Sequence, residues 1–391
     1  MKFANRIEPL RFNVFADMDQ AKARAEKKGL DLIDLSLGSS DLPASGQVVA
    51  AIADALQDPS THGYLLFNGT KPFRKAAADW YNRKFGIAVD PDTEVLPLIG
   101  SKEGTAHLPL AVLNPGDVAL LQDPGYPSHA GGVYLASGQI YPMPLLAENG
   151  FLPKFEEIPA AILQRARLMV LSYPHNPTTA VAPLEFFQAA VQFCQRHELV
   201  LAHDFPYVDL VFTGAQPPSI LQADPEKQLS IEFFTLSKSY SMGGFRVGYA
   251  IGNAELIQAL RRIKAVVDFN QYQGILRGAI AALTDSQDSV QTTVETFRQR
   301  QDGFVEALQA IGWPVPLPVA TIYVWAKLPE PWAQDSIQFA IDLVEATGVA
   351  VSPGAGFGKA GEGYVRFALV HDLAVLQQAV QRLASFIRIA Q

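Results

Sequence analysis

Hydrophobic positions run through this chain in two rhythms, and the switch between them marks the elements. Short apolar runs at Val95–Ile99, Val118–Leu121, Leu168–Ser172, Leu199–His203 and Phe233–Leu236 read as buried strands. Before and between them, apolar positions spaced three and four apart predict helices over Val48–Leu56, Pro72–Phe85, Thr105–Leu113 and Phe186–Arg196. Each strand gives way to a polar turn: Gly100-Ser101-Lys102-Glu103-Gly104, Asp123-Pro-Gly-Tyr126-Pro, Tyr173-Pro-His-Asn176-Pro, Asp204 with Tyr207, and Ser237-Lys238. Strands alternating with helices predict an open α/β sheet, whose ligands sit outside the carboxyl ends of the strands.

The two ends of the chain read differently. A charged helix over about Phe15–Lys28 precedes an alternating strand from Asp31 that turns at Gly38 and is closed by Pro43. Past Arg246 come another apolar strand and helices over Ala254–Val266, Gly274–Leu283 and Val290–Ile311, the last with Arg298, Arg300 and Gln301 expected on a wet face. From Gly312 a proline-rich loop leads into a strand at Tyr323. A helix (Ser336–Thr347), a strand (Val349–Pro353), a glycine loop (354–358), a strand (364–369) and a closing helix (Ala374–Ile389) follow. The division expected is an N-terminal segment (1–45) joining a small C-terminal α+β domain (286–391), with a large domain between (46–285).

Composition narrows the function classes. Hydrophobic residues make up 49% and charged residues 18% of 391, an ordinary soluble mix. A net charge of −8 argues against a nucleic-acid or anionic-membrane surface as partner. The single cysteine, Cys194, allows no internal disulfide, reads as buried packing in a helix, and fits a reducing compartment. No signal core or membrane span is visible, so cytoplasmic is the default.

The polar turns supply the chemistry. Lys238, at the mouth of a strand, is either a solvated turn lysine or an amine held dry, whose pKa then falls and which forms a Schiff base with a carbonyl cofactor. Thr235, Ser237 and Arg246 offer hydroxyls and a guanidinium fork to a phosphate. The 100–104 turn before a helix adds backbone NH groups and a helix dipole, without the glycine spacing of a nucleotide loop. Tyr126 either offers a flat face to an aromatic ligand or decorates a turn. Asp204 is either a helix cap or the holder of a proton on a heteroaromatic nitrogen. Strand periodicity turns Arg366 away from Val365 and Phe367, so it either receives a carboxylate in a cleft or forms a surface ion pair. Gly38 lies in a turn whose NH groups either meet a carboxylate or do nothing special.

Taken in order, Gly38, Tyr64, Gly100-Ser-Lys-Glu, Asp-Pro-Gly-Tyr126-Pro, Asn176-Pro-Thr, Asp204-x-x-Tyr207, Ser-Lys238, Arg246 and Arg366 resemble the class I pyridoxal-phosphate-dependent aminotransferases over nearly the whole chain. The resemblance implies the fold type I architecture: a large domain with a mostly parallel seven-stranded sheet between helices, plus a smaller α+β domain. It implies pyridoxal 5′-phosphate joined to Lys238, with Asp204 on the ring nitrogen and Tyr207 and Asn176 on the ring oxygen. Tyr126 would stack on the ring, and Ser101, Lys102, Thr235, Ser237 and Arg246 would surround the phosphate. Tyr64 would reach the phosphate of a neighbouring subunit, making a homodimer. Arg366 would take the substrate α-carboxylate with help from Gly38 and Asn176, and no metal is called for. The reaction implied is ping-pong transfer of an amino group from an amino acid to a 2-oxo acid.

Within that family, Ile99-Gly-Ser-Lys-Glu-Gly-Thr-Ala-His-Leu, Asn114-Pro-Gly-Asp and Ala320-Thr-Ile-Tyr-Val-Trp-Ala are similar to LL-diaminopimelate aminotransferases, which use 2-oxoglutarate and serve lysine synthesis. Asn270 matches a position near the distal end of their substrate. No second arginine marks a dicarboxylate pocket, so aspartate, alanine and aromatic amino acids stay open as donors, as does a carbon–sulfur β-lyase on the same scaffold. A ligand sensor of this fold would carry a DNA-binding domain, of which this chain shows no sign. Thr179-Ala180 stands where the family commonly has glycine, so the loop after Asn176 is expected to differ locally.

Overall fold

The structure, a computed structural model, describes residues 1, 3–10, 14–330 and 332–390, the side chains of 14–16 and 388–390 excepted. Its strands are β1 (Ile33–Asp34), β2 (Val95–Leu98), β3 (Val118–Asp123), β4 (Gln139–Pro144), β5 (Ala166–Ser172), β6 (Val200–Asp204), β7 (Ser230–Thr235), β8 (Gly248–Gly252), β9 (Tyr323–Lys327), β10 (Val349–Ala350), β11 (Ser352–Pro353) and β12 (Tyr364–Ala368). Its α-helices are α1 (Val14–Lys27), α2 (Gly46–Leu56), α3 (Lys71–Phe85), α4 (Ser101–Val112), α5 (Pro127–Leu135), α6 (Ala160–Leu163), α7 (Leu184–Arg196), α8 (Ala254–Val267), α9 (Gln273–Thr284), α10 (Asp288–Ala310), α11 (Ser336–Thr347) and α12 (Leu373–Ala390).

A seven-stranded sheet in the order β2-β8-β7-β6-β5-β3-β4 forms the centre, and only β8 runs against its neighbours. All its strands but the edge strand β4 are largely buried on both faces, so alternate residues feed two cores. Leu168 and Val170 pack with Leu108, Val133 and Ile257 from α4, α5 and α8. Met169 and Leu171 pack on the other side with Phe73, Phe187 and Leu276 from α3, α7 and α9. The parallel strands all end at one edge, and there the polar turns gather.

A separate core joins the chain's two ends. Met18 and Ala21 of α1, with Ile33 and Leu35, pack against Phe304, Val324, Phe339, Val365 and Leu383. The expected strand over 349–353 is two short pieces: β10 pairs in parallel with β1, and β11 pairs antiparallel with β12.

Two readings of the sequence need correction. The helix expected from Thr105 begins at Ser101, capped by Gly100 at φ +74°, so the small-residue turn is itself the first helical turn. Arg300 and Gln301 do not face water: they are 4% and 1% exposed. Arg300 grips Asp41 with two hydrogen bonds of 2.6 and 2.7 Å and donates to the Leu369 carbonyl, while Gln301 donates to the carbonyls of Thr321 and Tyr323. The Asp41 bonds tie the N-terminal segment to α10, and the others tie α10 to the chain around β9 and after β12.

Burial by itself would raise the Asp41 pKa, but the Arg300 fork outweighs it and holds the carboxyl below its ordinary value. A depressed carboxylate stabilises the fold above its unfolded pKa, and that stability disappears as pH falls through the folded value. Arg300→Ala is therefore expected to cost about 2 kcal/mol at pH 7, since water partly replaces the bond to the one-third-exposed Asp41. Urea unfolding at stepwise lower pH should show that deficit shrinking.

Candidate active site

The site lies in a cavity of about 740 Å³ between the carboxyl edge of the large sheet and the β9–β11–β12 sheet. Gly38, Ser101, Lys102, Tyr126, Asn176, Asp204, Tyr207, Thr235, Ser237, Lys238, Arg246 and Arg366 all line it. Tyr64 and Asn270 do not. Tyr64 is 94% exposed and meets the Phe269 ring edge-on at 6.2 Å, while Asn270 donates to the Leu65 carbonyl at 2.9 Å. The two residues share one patch outside this cavity.

One wall suits an anion. The α4 N-terminus is capped by Gly100 without a side-chain bond, so Ser101 and Lys102 present first-turn NH groups. A Cβ at Gly100 would lie 2.5 Å from Arg246 Nη2, so glycine lets the guanidinium close over the helix start. Thr235 Oγ1 donates to Ser237 Oγ at 2.9 Å beside it.

On the floor, Asp204 ends β6 and is 4% exposed. No helix follows for it to cap. Its Oδ2 lies 3.0 Å from His129 Nε2, whereas its Oδ1 is buried with no hydrogen-bond partner. A buried carboxylate oxygen without a donor is costly, and it marks a place where a donor is meant to arrive.

Lys238, half-buried at the end of β7, donates to the Gly38 carbonyl. Burial pushes its ammonium pKa down; the Tyr323 hydroxyl opposes this, and the cations Arg366 and Arg246 add to it. Across the cleft, Arg366 is 6% exposed. Its guanidinium donates to Asn176 Oδ1 and to the Ser36 carbonyl, both at 2.8 Å, and rests on the rings of Tyr323 and Phe357 at 4.2 and 4.6 Å. Arg366 is in the cleft and not in a surface ion pair.

The loop after Asn176 turns through a residue in the left-handed region. Thr179 sits at φ +65°, in the left-handed region, and its NH donates to the His175 carbonyl at 2.8 Å. A β-branched residue in that region bears strain of about 1 kcal/mol.

Residues 31–383 match the family model for aminotransferase class I and II. The chain belongs to that family.

Among its relatives, an LL-diaminopimelate aminotransferase from Dehalococcoides mccartyi is 44% identical over 386 residues, 99% of each chain. A solved structure described as a probable N-succinyldiaminopimelate aminotransferase from Thermus thermophilus is 42% identical, with a TM-score of 0.90 over 95% of this chain and 99% of that one. A single mutant of Thermus thermophilus aspartate aminotransferase superposes with a TM-score of 0.91 at 28% identity, covering 98% and 99%. The aminotransferase has the fold type I architecture and is a pyridoxal-phosphate-dependent enzyme acting on small amino and 2-oxo acids.

The cavity of this aminotransferase fits that cofactor. Helix start, hydroxyls and Arg246 suit a phosphate dianion, and the orphaned Asp204 Oδ1 suits a protonated ring nitrogen.

Two residues here escaped the sequence reading. His129, three residues past Tyr126 on α5, holds Asp204 from behind. Tyr323 takes the Tyr207 hydroxyl's hydrogen bond at 2.8 Å. Periodicity carried a signal for it: Val324 and Ala326 enter the small core, so Tyr323 and Trp325 face the other way, and Trp325 is the register partner of Arg366.

Proposed function

We propose that this aminotransferase moves the amino group of LL-diaminopimelate to 2-oxoglutarate by a ping-pong mechanism. One observation carries the substrate: 44% identity to a named LL-diaminopimelate aminotransferase, running through 99% of both chains. The cavity supports the reaction class, with an amine, an unpartnered buried carboxylate oxygen and a buried guanidinium in one cleft.

In this reading the residues divide the work. Bound pyridoxal phosphate supplies an electron sink that weakens the substrate Cα–H bond. Asp204 holds a proton at the ring nitrogen, and His129 keeps that carboxylate oriented. Tyr207 and Asn176 would bond the ring oxygen, Tyr207 turning to it the proton it gives Tyr323 in the apoprotein, and Tyr126 would cover the ring face. Ser101, Lys102, Thr235, Ser237 and Arg246 hold the phosphate. Arg366, with Asn176 and Gly38, orients the substrate carboxylate so that Cα–H faces Lys238. Lys238 Nζ, its pKa lowered by burial, takes the Cα proton and later returns one.

The exposed Tyr64 and its neighbour Asn270 support a homodimer in which each subunit completes the other's site. Their patch lies outside their own chain's cavity, and Tyr64 carries a large bare ring. Residues 1–45 and 286–391 would then form the small domain, with 46–285 as the large one. Among the described residues no helix is long and apolar enough to cross a membrane. With Cys194 buried and unpaired, a cytoplasmic setting belongs to the same proposal.

The test is a set of half-reactions. LL-Diaminopimelate should convert the cofactor's absorbance to that of its amino form, and 2-oxoglutarate should reverse it. A faster conversion by aspartate, alanine, an aromatic amino acid or N-succinyl-diaminopimelate would overturn the substrate. Pyruvate and ammonia from cystathionine, without need of an oxo acid, would make it a β-lyase.

A further inference from the structure

We propose that Tyr323 is a positioning residue for the transfer reaction: its hydroxyl fixes the Tyr207 hydroxyl and its ring fixes the Arg366 guanidinium. One side chain thus aligns the cofactor end and the carboxylate end of the site. The proposal rests on the transaminase reading of the cavity.

The geometry has three parts. Tyr207 donates to the Tyr323 hydroxyl at 2.8 Å, and the two rings meet edge-on at 5.7 Å and 75°. The Arg366 guanidinium lies 4.2 Å from the Tyr323 ring centre, within cation–π range. Tyr323 is 2% exposed, so neither contact competes with bulk water.

The third part is Gly38. A Cβ there would lie 2.0 Å from the Tyr323 hydroxyl oxygen, so the absent side chain is the space that hydroxyl occupies. Lys238 donates to the carbonyl of the same glycine. The tyrosine hydroxyl and the reactive amine therefore converge on one residue. Burial would raise the Tyr323 pKa, but Arg366, Lys238 and the Tyr207 hydrogen bond overcome it and hold the hydroxyl below its ordinary value. That polarisation makes it the better donor of the pair, able to hold the Tyr207 oxygen once Tyr207 turns its own proton to the ring oxygen. A residue whose two functional edges touch two different parts of a site sets their spacing, which a packing tyrosine does not do.

Two substitutions separate the edges. Tyr323→Phe removes one hydroxyl and keeps the ring under Arg366. It is expected to lower kcat about tenfold while KM for the amino donor stays within about twofold. Tyr323→Leu removes the ring as well, and KM should then rise about tenfold besides. A readout apart from turnover is the affinity of the apoprotein for pyridoxal phosphate, followed by tryptophan fluorescence. It should weaken about tenfold in Tyr323→Phe, with the apoprotein still folded and melting only a few degrees lower because the buried Tyr207 hydroxyl loses its partner. Wild-type kcat and wild-type cofactor affinity in Tyr323→Phe would overturn the hydroxyl's role, and an unchanged KM in Tyr323→Leu would overturn the ring's. A wild-type protein that binds the cofactor but transfers no amino group would sink the transaminase reading instead, and the affinity comparison would still decide the Tyr323 hydroxyl.

Discussion

Lys238→Ala is expected to reduce amino transfer by about 10³-fold or more, because it removes both the covalent attachment and the base that moves the Cα proton. Borohydride should fix cofactor to the wild-type chain and none to the variant, and single-turnover absorbance should measure the loss of rate. The fold should survive. Lys238 is half-buried and its amine makes one hydrogen bond, to the Gly38 carbonyl. Because the folded chain holds this ammonium below its ordinary pKa, the lysine destabilises the apoprotein at every pH where the unfolded chain's amine is protonated. That penalty is complete below the depressed folded pKa and vanishes above the unfolded value, near 10.4. The alanine apoprotein should thus melt no lower than wild type at neutral pH, with its advantage growing as pH falls from the unfolded value toward the lysine's folded pKa and constant below it. A variant that kept wild-type turnover would remove the basis of the site.

Much of this was legible because strand ends and strand periodicity are local signals. The turn after each apolar run placed Asp204, Asn176, Tyr126 and Lys238 at one sheet edge, and the parity of Val365 and Phe367 turned Arg366 into the cleft. What failed was not local. Arg300 reads as a wet helix position because its own helix is amphipathic. Its partner Asp41 lies 259 residues away, and no window spans that distance. Gly100-Ser-Lys-Glu-Gly reads as a turn because glycine is a poor helix former, yet Gly100 is the cap and the first turn gains its use from open NH groups. Tyr323 was hidden inside an apolar strand, where a tyrosine reads as packing until its hydroxyl's partner is known.

Asp204→Asn sets function against stability at a single atom. The buried Oδ1 has no hydrogen-bond donor in the protein alone, so the carboxylate bears a desolvation cost that a bound cofactor relieves. The amide is uncharged and keeps an oxygen for His129 Nε2, which now sits 3.0 Å from Oδ2. It cannot hold a positive charge on the ring nitrogen, so the electron sink weakens. Activity is expected to fall on the order of 10²-fold, the size of a charge-assisted buried hydrogen bond lost from the transition state. The apoprotein is expected to gain roughly 1 kcal/mol, since a neutral group replaces a buried charge. Calorimetry of the two apoproteins beside their steady-state rates tests both halves. The cofactor should raise the wild-type melting temperature more than the variant's, because only the carboxylate gains an ionic partner on binding. A variant that lost both activity and apo stability would mean that Asp204 serves the fold through His129, and that its free oxygen is not reserved for a ligand.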